Sequence, residues 1–417
     1  MFGACSPRRM RGAPGFAPAP IFATVLALAL AGACAQGPAT RAPRPAADAA
    51  AEASAAFRYY PGPGDDWKRL TPDEAAMDAA LLDEAVAYAI ENETKWPTNL
   101  RQALQQSLAS GPHGEIIGPV KDRGKPNGLI VRGGYIVAEW GETDRVDMTF
   151  SVTKSFLATT AGVALDLGRI RNVHDPVRQY VDDGGFDPPR NHEITWHMLL
   201  NQTSEWEGTL WGKPDSADRR EGRDRVLRKP GTFWEYNDVR VNRTALALLR
   251  VWRRPLPRVL KGEIMDPIGA SDRWEWHGYQ NSWVTIDGEP MQSVSGGGHW
   301  GGGLWMSARD MARFGYLYLR GGRWRDRQVL SREWVRMATT PTSIKPTYGY
   351  MWWLNTGRAL YPSAPESSFF ARGAGANIIW VDPEHDLVAV VRWIDPEAVD
   401  GFIARVLASI RKPAPAG

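Results

Sequence analysis

Cysteine is nearly absent: the 417 residues contain two, Cys5 and Cys34. Both lie close to the start, and loss of an N-terminal leader containing Cys5 excludes any disulfide within the mature chain. Histidine is also scarce, at seven. The run His192-Glu193-Ile194-Thr195-Trp196-His197 nearly imitates a zinc helix, but its second His stands at i+5 instead of i+4, so no metal and no cofactor is expected. The formal net charge is only +3, and nothing points to nucleic acid. No Ser sits in G-x-S-x-G, which excludes the strand–turn–helix elbow of α/β-hydrolases, and an S-D-N triplet is missing as well. No internal repeat is visible.

What is present begins with a leader. Arg8, Arg9 and Arg11 precede an apolar run from Ile21 to Leu30, followed by the small residues Ala31-Gly32-Ala33. The run is too short to span a bilayer permanently, and the whole reads as an export signal over residues 1–33. Its three arginines account for the entire formal charge of +3. Ala31-Gly32-Ala33-Cys34 is similar to a bacterial lipoprotein cleavage site, although Leu30 lies one place too early. Two readings therefore stand open: a lipid anchor on Cys34, or ordinary cleavage beside an incidental Cys. Either places the protein outside the cytoplasm, in the periplasm.

Residues 34–57 are rich in Ala and Pro without a hydrophobic period and read as a linker. The folded part spans 58–417. Leu81, Leu82, Ala85, Val86 and Ala89 recur at helical spacing within 78–90. Gly128 to Trp140 carries two β-rich runs around Arg132-Gly133-Gly134, a hairpin signal. Strand-like runs return at 376–381 and 387–394, before an amphipathic helix over 402–410. Ser307-Ala308-Arg309-Asp310 caps a further helix that continues over 311–319. The middle, about 155–290, is mostly helical in pattern. β-rich ends around a helical middle predict an α/β (α+β) fold: a sheet assembled from both ends, with a helical lobe inserted. The 19 Trp suit a large core; Trp206, Trp211, Trp300, Trp305, Trp352 and Trp353 fall near the candidate motifs and could wall a pocket.

Ser151-Val152-Thr153-Lys154 is the chemical centre. On a helix, i and i+3 share a face, so a Lys reaches the Ser hydroxyl, while the helix N-terminus favours an alkoxide. A Ser needs such a neighbour, because its hydroxyl is a weak nucleophile unaided. A second S-x-x-K, Ser409 to Lys412, ends the last helix with nothing reactive around it, so the spacing alone decides nothing.

Phe150-Ser151-Val152-Thr153-Lys154-Ser155-Phe156 resembles the first motif of the serine β-lactamase-like hydrolases. This superfamily includes class C β-lactamases, DD-peptidases, related esterases and 6-aminohexanoate-dimer hydrolases. The resemblance continues through Ile194 to Ser204, Pro230-Gly231-Thr232-Phe233-Trp234-Glu235-Tyr236-Asn237-Asp238 and Gly301 to Asp310. It implies a penicillin-binding-protein-like fold, an antiparallel sheet flanked by helices. Tyr236 falls on the Tyr of the family's Tyr-x-Asn, implying shared proton handling with Lys154. Asp238 stands where Asn is usual; if the chain is extended there, its carboxylate faces Lys154 and favours the ammonium. Phe370 to Asn377 falls at the third motif. Gly373 matches it, the backbone N–H of Ala374 would pair with that of Ser151 as an oxyanion hole, and Ala371 replaces the family's cation. Arg372 is the only substitute nearby, though alternation turns it to the other face of the strand. The expectation is acyl-enzyme hydrolysis of a small ester or amide, with Asp238, Arg372, Gly373 and Ala374 lining the substrate. β-Lactamase or DD-peptidase activity, and a non-catalytic acyl-binding module, are the alternatives. His197 and His299 are expected to be structural.

Overall fold

The computed structural model describes residues 59–109 and 111–411. The leader, Cys34 and the whole linker lie outside the described residues. In chain order the strands that matter are β1 (Asn127–Arg132), β2 (Tyr135–Trp140), β3 (Asp147–Met148), β4 (Glu275–Ile286), β5 (Glu289–Val294), β6 (Gly303–Met306), β7 (Trp353–Leu354), β8 (Phe369–Gly373), β9 (Asn377–Asp382) and β10 (Leu387–Arg392). The principal helices are α1 (Ala79–Glu91), α2 (Leu100–Leu108), α3 (Thr153–Asp166), α4 (Asp238–Trp252), α5 (Ala308–Leu319) and α6 (Val399–Ala408).

The main sheet is antiparallel in the order β7-β8-β9-β10-β1-β2, so strands from both ends of the described chain close on each other where β1 meets β10. Gly133 and Gly134 turn the β1–β2 hairpin at φ 59° and 96°, the left-handed values that a two-residue primed turn requires. Alternation then sorts the side chains. Leu129, Val131, Ile379, Val381, Val388 and Val390 join one core, and Ile130, Ile378, Trp380, Leu387, Ala389 and Val391 the other. The second core is closed by Leu82, Ala85 and Ala89 of α1 with Phe402, Ile403 and Val406 of α6. Phe156 of α3 and Phe314 of α5 stack in the first, ring centroids 3.7 Å apart. Twelve consecutive residues of α3, Thr153 to Ala164, are buried, so this helix is packed on every side.

The middle of the chain departs from the helical expectation. Residues 275–306 build a second sheet, β3-β6-β4-β5. Its hairpin turns at Asp287-Gly288 with φ 56° and 84°, and Asp-Gly between two β-rich runs is a strong local hairpin signal. This sheet carries β3, which leads directly into Ser151.

The two sheets are joined by Arg392 at the end of β10. Its guanidinium is fully buried and donates to Asn377 Oδ1 at 2.7 Å, the Met306 carbonyl at 2.6 Å and the Met148 carbonyl at 2.9 Å. Burial lowers its pKa to about 10, still leaving it charged at neutral pH.

Candidate active site

Ser151 sits on a tight turn fastened at both ends. Thr149 donates through its amide (2.9 Å) and its hydroxyl (2.8 Å) to the Leu304 carbonyl of β6, and the Leu304 amide donates back to Thr153 Oγ1 at 3.0 Å. Phe150 adopts φ 49°, a left-handed conformation costing a bulky residue about 1–2 kcal/mol. Edge contacts from Trp96 (5.5 Å) and Trp393 (6.4 Å) hold its ring in that place. The result is a half-buried Ser151 in the turn that opens α3, with Lys154 one helical turn on.

Lys154 Nζ donates to Ser151 Oγ at 2.9 Å and to Asp238 Oδ1 at 2.7 Å, and lies 4.7 Å from the centre of the Tyr236 ring. Lys154 and Asp238 are both about as buried as core residues, at 1% and 2% exposure. Burial pulls the Lys154 pKa down, but the Asp238 carboxylate and then the Tyr236 phenol outweigh it, and the net shift is upward. For Asp238 burial pulls upward, but Lys154, His299 and Arg220 hold the carboxyl below its usual range. The site therefore contains a buried ammonium–carboxylate pair beside the Ser hydroxyl.

The Asn237 backbone between Tyr236 and Asp238 is extended, at φ −141° and ψ 115°, and both flanking side chains face Lys154, as expected for residues two apart. Asn237 also caps α4, accepting from the Arg240 amide, and Asp238 is the first helical residue. Asp238, expected to line the substrate, is 2% exposed and paired with Lys154. Gly297 closes the lid on the pair, since a Cβ there would stand 2.1 Å from both Lys154 Nζ and Asp238 Oδ1.

Two residues absent from the sequence expectations, Asp218 and Arg220, belong here. The Asp218 carboxylate accepts from the Asp238 amide at 2.6 Å, and its other oxygen lies 3.8 Å from His299 Nε2. Burial, with the neighbouring Asp238 charge, raises the Asp218 pKa despite His299 and Arg220. Arg220 places its guanidinium 4.7 Å from the centre of the Tyr236 ring. Neither Asp218 nor Arg220 falls in a family-like motif, and only the fold brings Asp218 to Asp238 and Arg220 to Tyr236. A cavity of about 180 Å³ opens beside Asp218 and His299, lined also by His113, Arg219, Arg223 and Trp300.

On the other side β8 runs against the Ser151 turn. A Cβ on Gly373 would lie 2.1 Å from the Thr149 carbonyl oxygen and 3.2 Å from the Ser151 amide nitrogen, so only Gly permits this approach. Ala374 follows it and is exposed. Ala371 is 1% exposed and faces the first core, leaving no cation at that position. Arg372, expected to bind substrate, does not join Ser151 and Lys154; its guanidinium lies over the rings of Trp353 (5.3 Å) and Tyr361 (5.2 Å), as strand alternation requires.

Of the tryptophans near the motifs, Trp206, Trp300, Trp305 and Trp352 are buried in the core, whereas Trp353 packs 5.6 Å from Tyr236. His197 is structural: its ring nitrogens meet the Tyr350 hydroxyl at 2.7 Å and the Asn201 amide at 2.9 Å.

Ser151 in the turn before α3, Lys154 within that helix and Tyr236 just before α4 thus meet at one place in the fold. Residues 129–398 match the Beta-lactamase family model, and the chain belongs to that family. The 6-aminohexanoate-dimer hydrolase of Paenarthrobacter ureafaciens is 25% identical over 305 residues, covering 64% of this chain and 73% of that one. An uncharacterised protein of Alkalihalophilus pseudofirmus is 29% identical over 291 residues, 63% of this chain and 77% of that one. A solved β-lactamase-like structure from Bacteroides dorei aligns with 75% of this chain and all of its own (100%), with a TM-score of 0.52 at 14% identity, and supports the fold.

Proposed function

We propose that this protein is a serine hydrolase that cleaves a small carboxylic ester or linear amide through an acyl-enzyme on Ser151. The observation that carries the reading is the 2.9 Å contact from Lys154 Nζ to Ser151 Oγ, with Asp238 locked to the same ammonium. Because Asp238 keeps Lys154 charged, the lysine is the electrostatic partner and Tyr236 is the base. Ser151 Oγ attacks the carbonyl carbon while its proton passes to the phenolate form of Tyr236, which the Lys154 ammonium stabilises. The oxyanion is held by the N–H groups of Ser151 and Ala374. Collapse breaks the C–O or C–N bond, and the leaving group takes the proton from Tyr236. Water then adds to the acyl carbon as its proton passes to the Tyr236 phenolate, the acyl C–Oγ bond breaks, Tyr236 returns the proton to Ser151 Oγ, and the carboxylic acid leaves.

The buried Ala371 disfavours β-lactams, whose ring carboxylate finds no cation on β8. A charge-assisted hydrogen bond is worth about 1.5–3 kcal/mol, or roughly ten- to a hundredfold in rate. The similarity to a hydrolase named for a linear amide dimer favours small amides as the companion substrates. The test is a panel of short aryl esters, small linear amides and a chromogenic cephalosporin, with fluorophosphonate labelling and peptide mapping. Turnover of esters or amides that Ser151→Ala abolishes, with the adduct on Ser151, is the expected result. An adduct elsewhere, or none, refutes the mechanism; cephalosporin turnover equal to ester turnover refutes the substrate assignment. A non-catalytic acyl-binding module would show no turnover at all.

A further inference from the structure

Tyr236 lies in a cluster of four rings with Trp234, Tyr348 and Trp353, their centroids 5.0–6.2 Å apart. Cations surround this cluster. Arg220 lies 4.7 Å over Tyr236, Lys345 4.9 Å over Trp234 and Arg372 5.3 Å over Trp353. Aromatic faces attract cations without neutralising them. Most other arginines in this part of the chain are spent: Arg219 pairs with Asp215 at 2.7 Å, Arg225 with Glu205 at 2.6 Å and Arg240 with Glu205 at 2.8 Å. Arg220 differs. Its carboxylate neighbour, Asp218, is 4.0 Å away, and its side chain is 55% exposed. Its backbone is nevertheless fixed, because the Arg220 amide donates to Glu235 Oε1 at 3.0 Å, one residue before Tyr236.

A planar cation held over the proposed catalytic tyrosine, with its donors largely open to solvent, is suited to a carboxylate. We infer that Arg220 receives a carboxylate of the substrate, so that the site prefers esters or amides bearing a negative charge. The inference rests on the serine-hydrolase reading and narrows it. It also places the substrate's charge on a different element from the β8 position that Ala371 leaves without a cation. Lys345 and Arg372 add to the field that draws an anion to this wall.

The test compares 4-nitrophenyl hydrogen glutarate with its methyl-esterified neutral counterpart, which puts the charge on the acyl side. 4-Acetoxybenzoate against methyl 4-acetoxybenzoate puts it on the leaving-group side. Wild type is expected to prefer the anionic member of one pair, and the arm that shows it identifies the side. Arg220→Gln should lower that preference about tenfold, mainly through KM, and Arg220→Lys should restore most of it. Equal rates within both pairs, or a preference that Arg220→Gln leaves intact, overturns the inference while the hydrolase reading stands. No ester cleaved above the Ser151→Ala background overturns both.

Discussion

Replacing Asp238 by Asn keeps the shape of the site and removes one charge. At the observed 2.7 Å, two unit charges attract by about 6 kcal/mol with an effective dielectric near 20. Lys154 cannot keep its proton at full cost without that partner. Its burial then dominates, and its pKa falls from above the ordinary value to below it. Losing one partner of a buried pair costs about 3–5 kcal/mol, and Asp238→Asn should lose that much at pH 7 in guanidinium unfolding followed by Trp fluorescence. The pH dependence follows from the signs. The raised Lys154 pKa gives a contribution that is complete below the unfolded value of about 10.4 and lost as pH rises through the folded one. The lowered Asp238 pKa gives one that is complete above about 3.9 and lost as pH falls through its folded value. The gap between wild type and variant should therefore be flat through neutrality, narrow where the freed Lys154 of the variant loses its proton, and close only as pH rises beyond about 10.4 through the raised wild-type value. In the kcat/KM profile of an aryl ester, the variant should gain an inflection below pH 10 as the freed Lys154 titrates. A stability loss under about 1 kcal/mol, with superimposable pH–rate profiles, would refute the idea that Asp238 holds Lys154 charged.

Gly297→Ala forces a methyl group onto the Lys154–Asp238 contact; it should cost about 1–3 kcal/mol of stability and at least tenfold in kcat, and wild-type turnover in the variant would count against this geometry. Glu205 is held to a pKa of about 2, where burial is outweighed by Arg225 and Arg240. Its contribution is complete above about pH 4.3 and fades as pH falls through about 2. Glu205→Gln, which leaves both arginines without that partner, should therefore be much less stable than wild type at pH 7 and nearly level with it at pH 2; a constant gap in thermal unfolding at pH 7, 4 and 2 would refute this. Mass analysis of protein from the native envelope should find a new N-terminus at Cys34 or Gln36, with a diacylglycerol mass on Cys34 if it is anchored; an intact Met1 chain in the cytoplasm contradicts export.

The sequence made the local parts of this structure legible. The Gly133-Gly134 turn, the Ser307 cap and the i, i+3 spacing of Ser151 and Lys154 depend on neighbours within one helical turn or hairpin. Boundaries shifted by a few residues, as where the helix expected at 402–410 runs over Val399–Ala408. What escaped was long-range. Arg220 reaches Tyr236 and Asp218 reaches the Asp238 amide through the path of one loop, and Gly297 meets the Lys154–Asp238 pair through the crossing of another, so no spacing announces them. Asp238 was found by a resemblance, and the extended Asn237 turns it to Lys154 as expected, although the helix that Asn237 caps was not foreseen. The second sheet was missed although Asp287-Gly288 is a local hairpin signal, because the middle of the chain reads mostly as helical.

Arg392 has a consequence for the order of assembly. The carbonyls it grips belong to Met148, three residues before Ser151, and to Met306 of β6, whose Leu304 fastens the same turn. β1 likewise waits for β10 as its partner. During synthesis the nucleophile turn thus emerges long before the strand that completes its support. Such sequence-distant pairing closes slowly, because the loop entropy must be overcome before the contacts form. A nascent or truncated chain ending before β10 carries Ser151 and Lys154 without the framework that sets their turn, and hydrolytic competence arrives only with the last strand made.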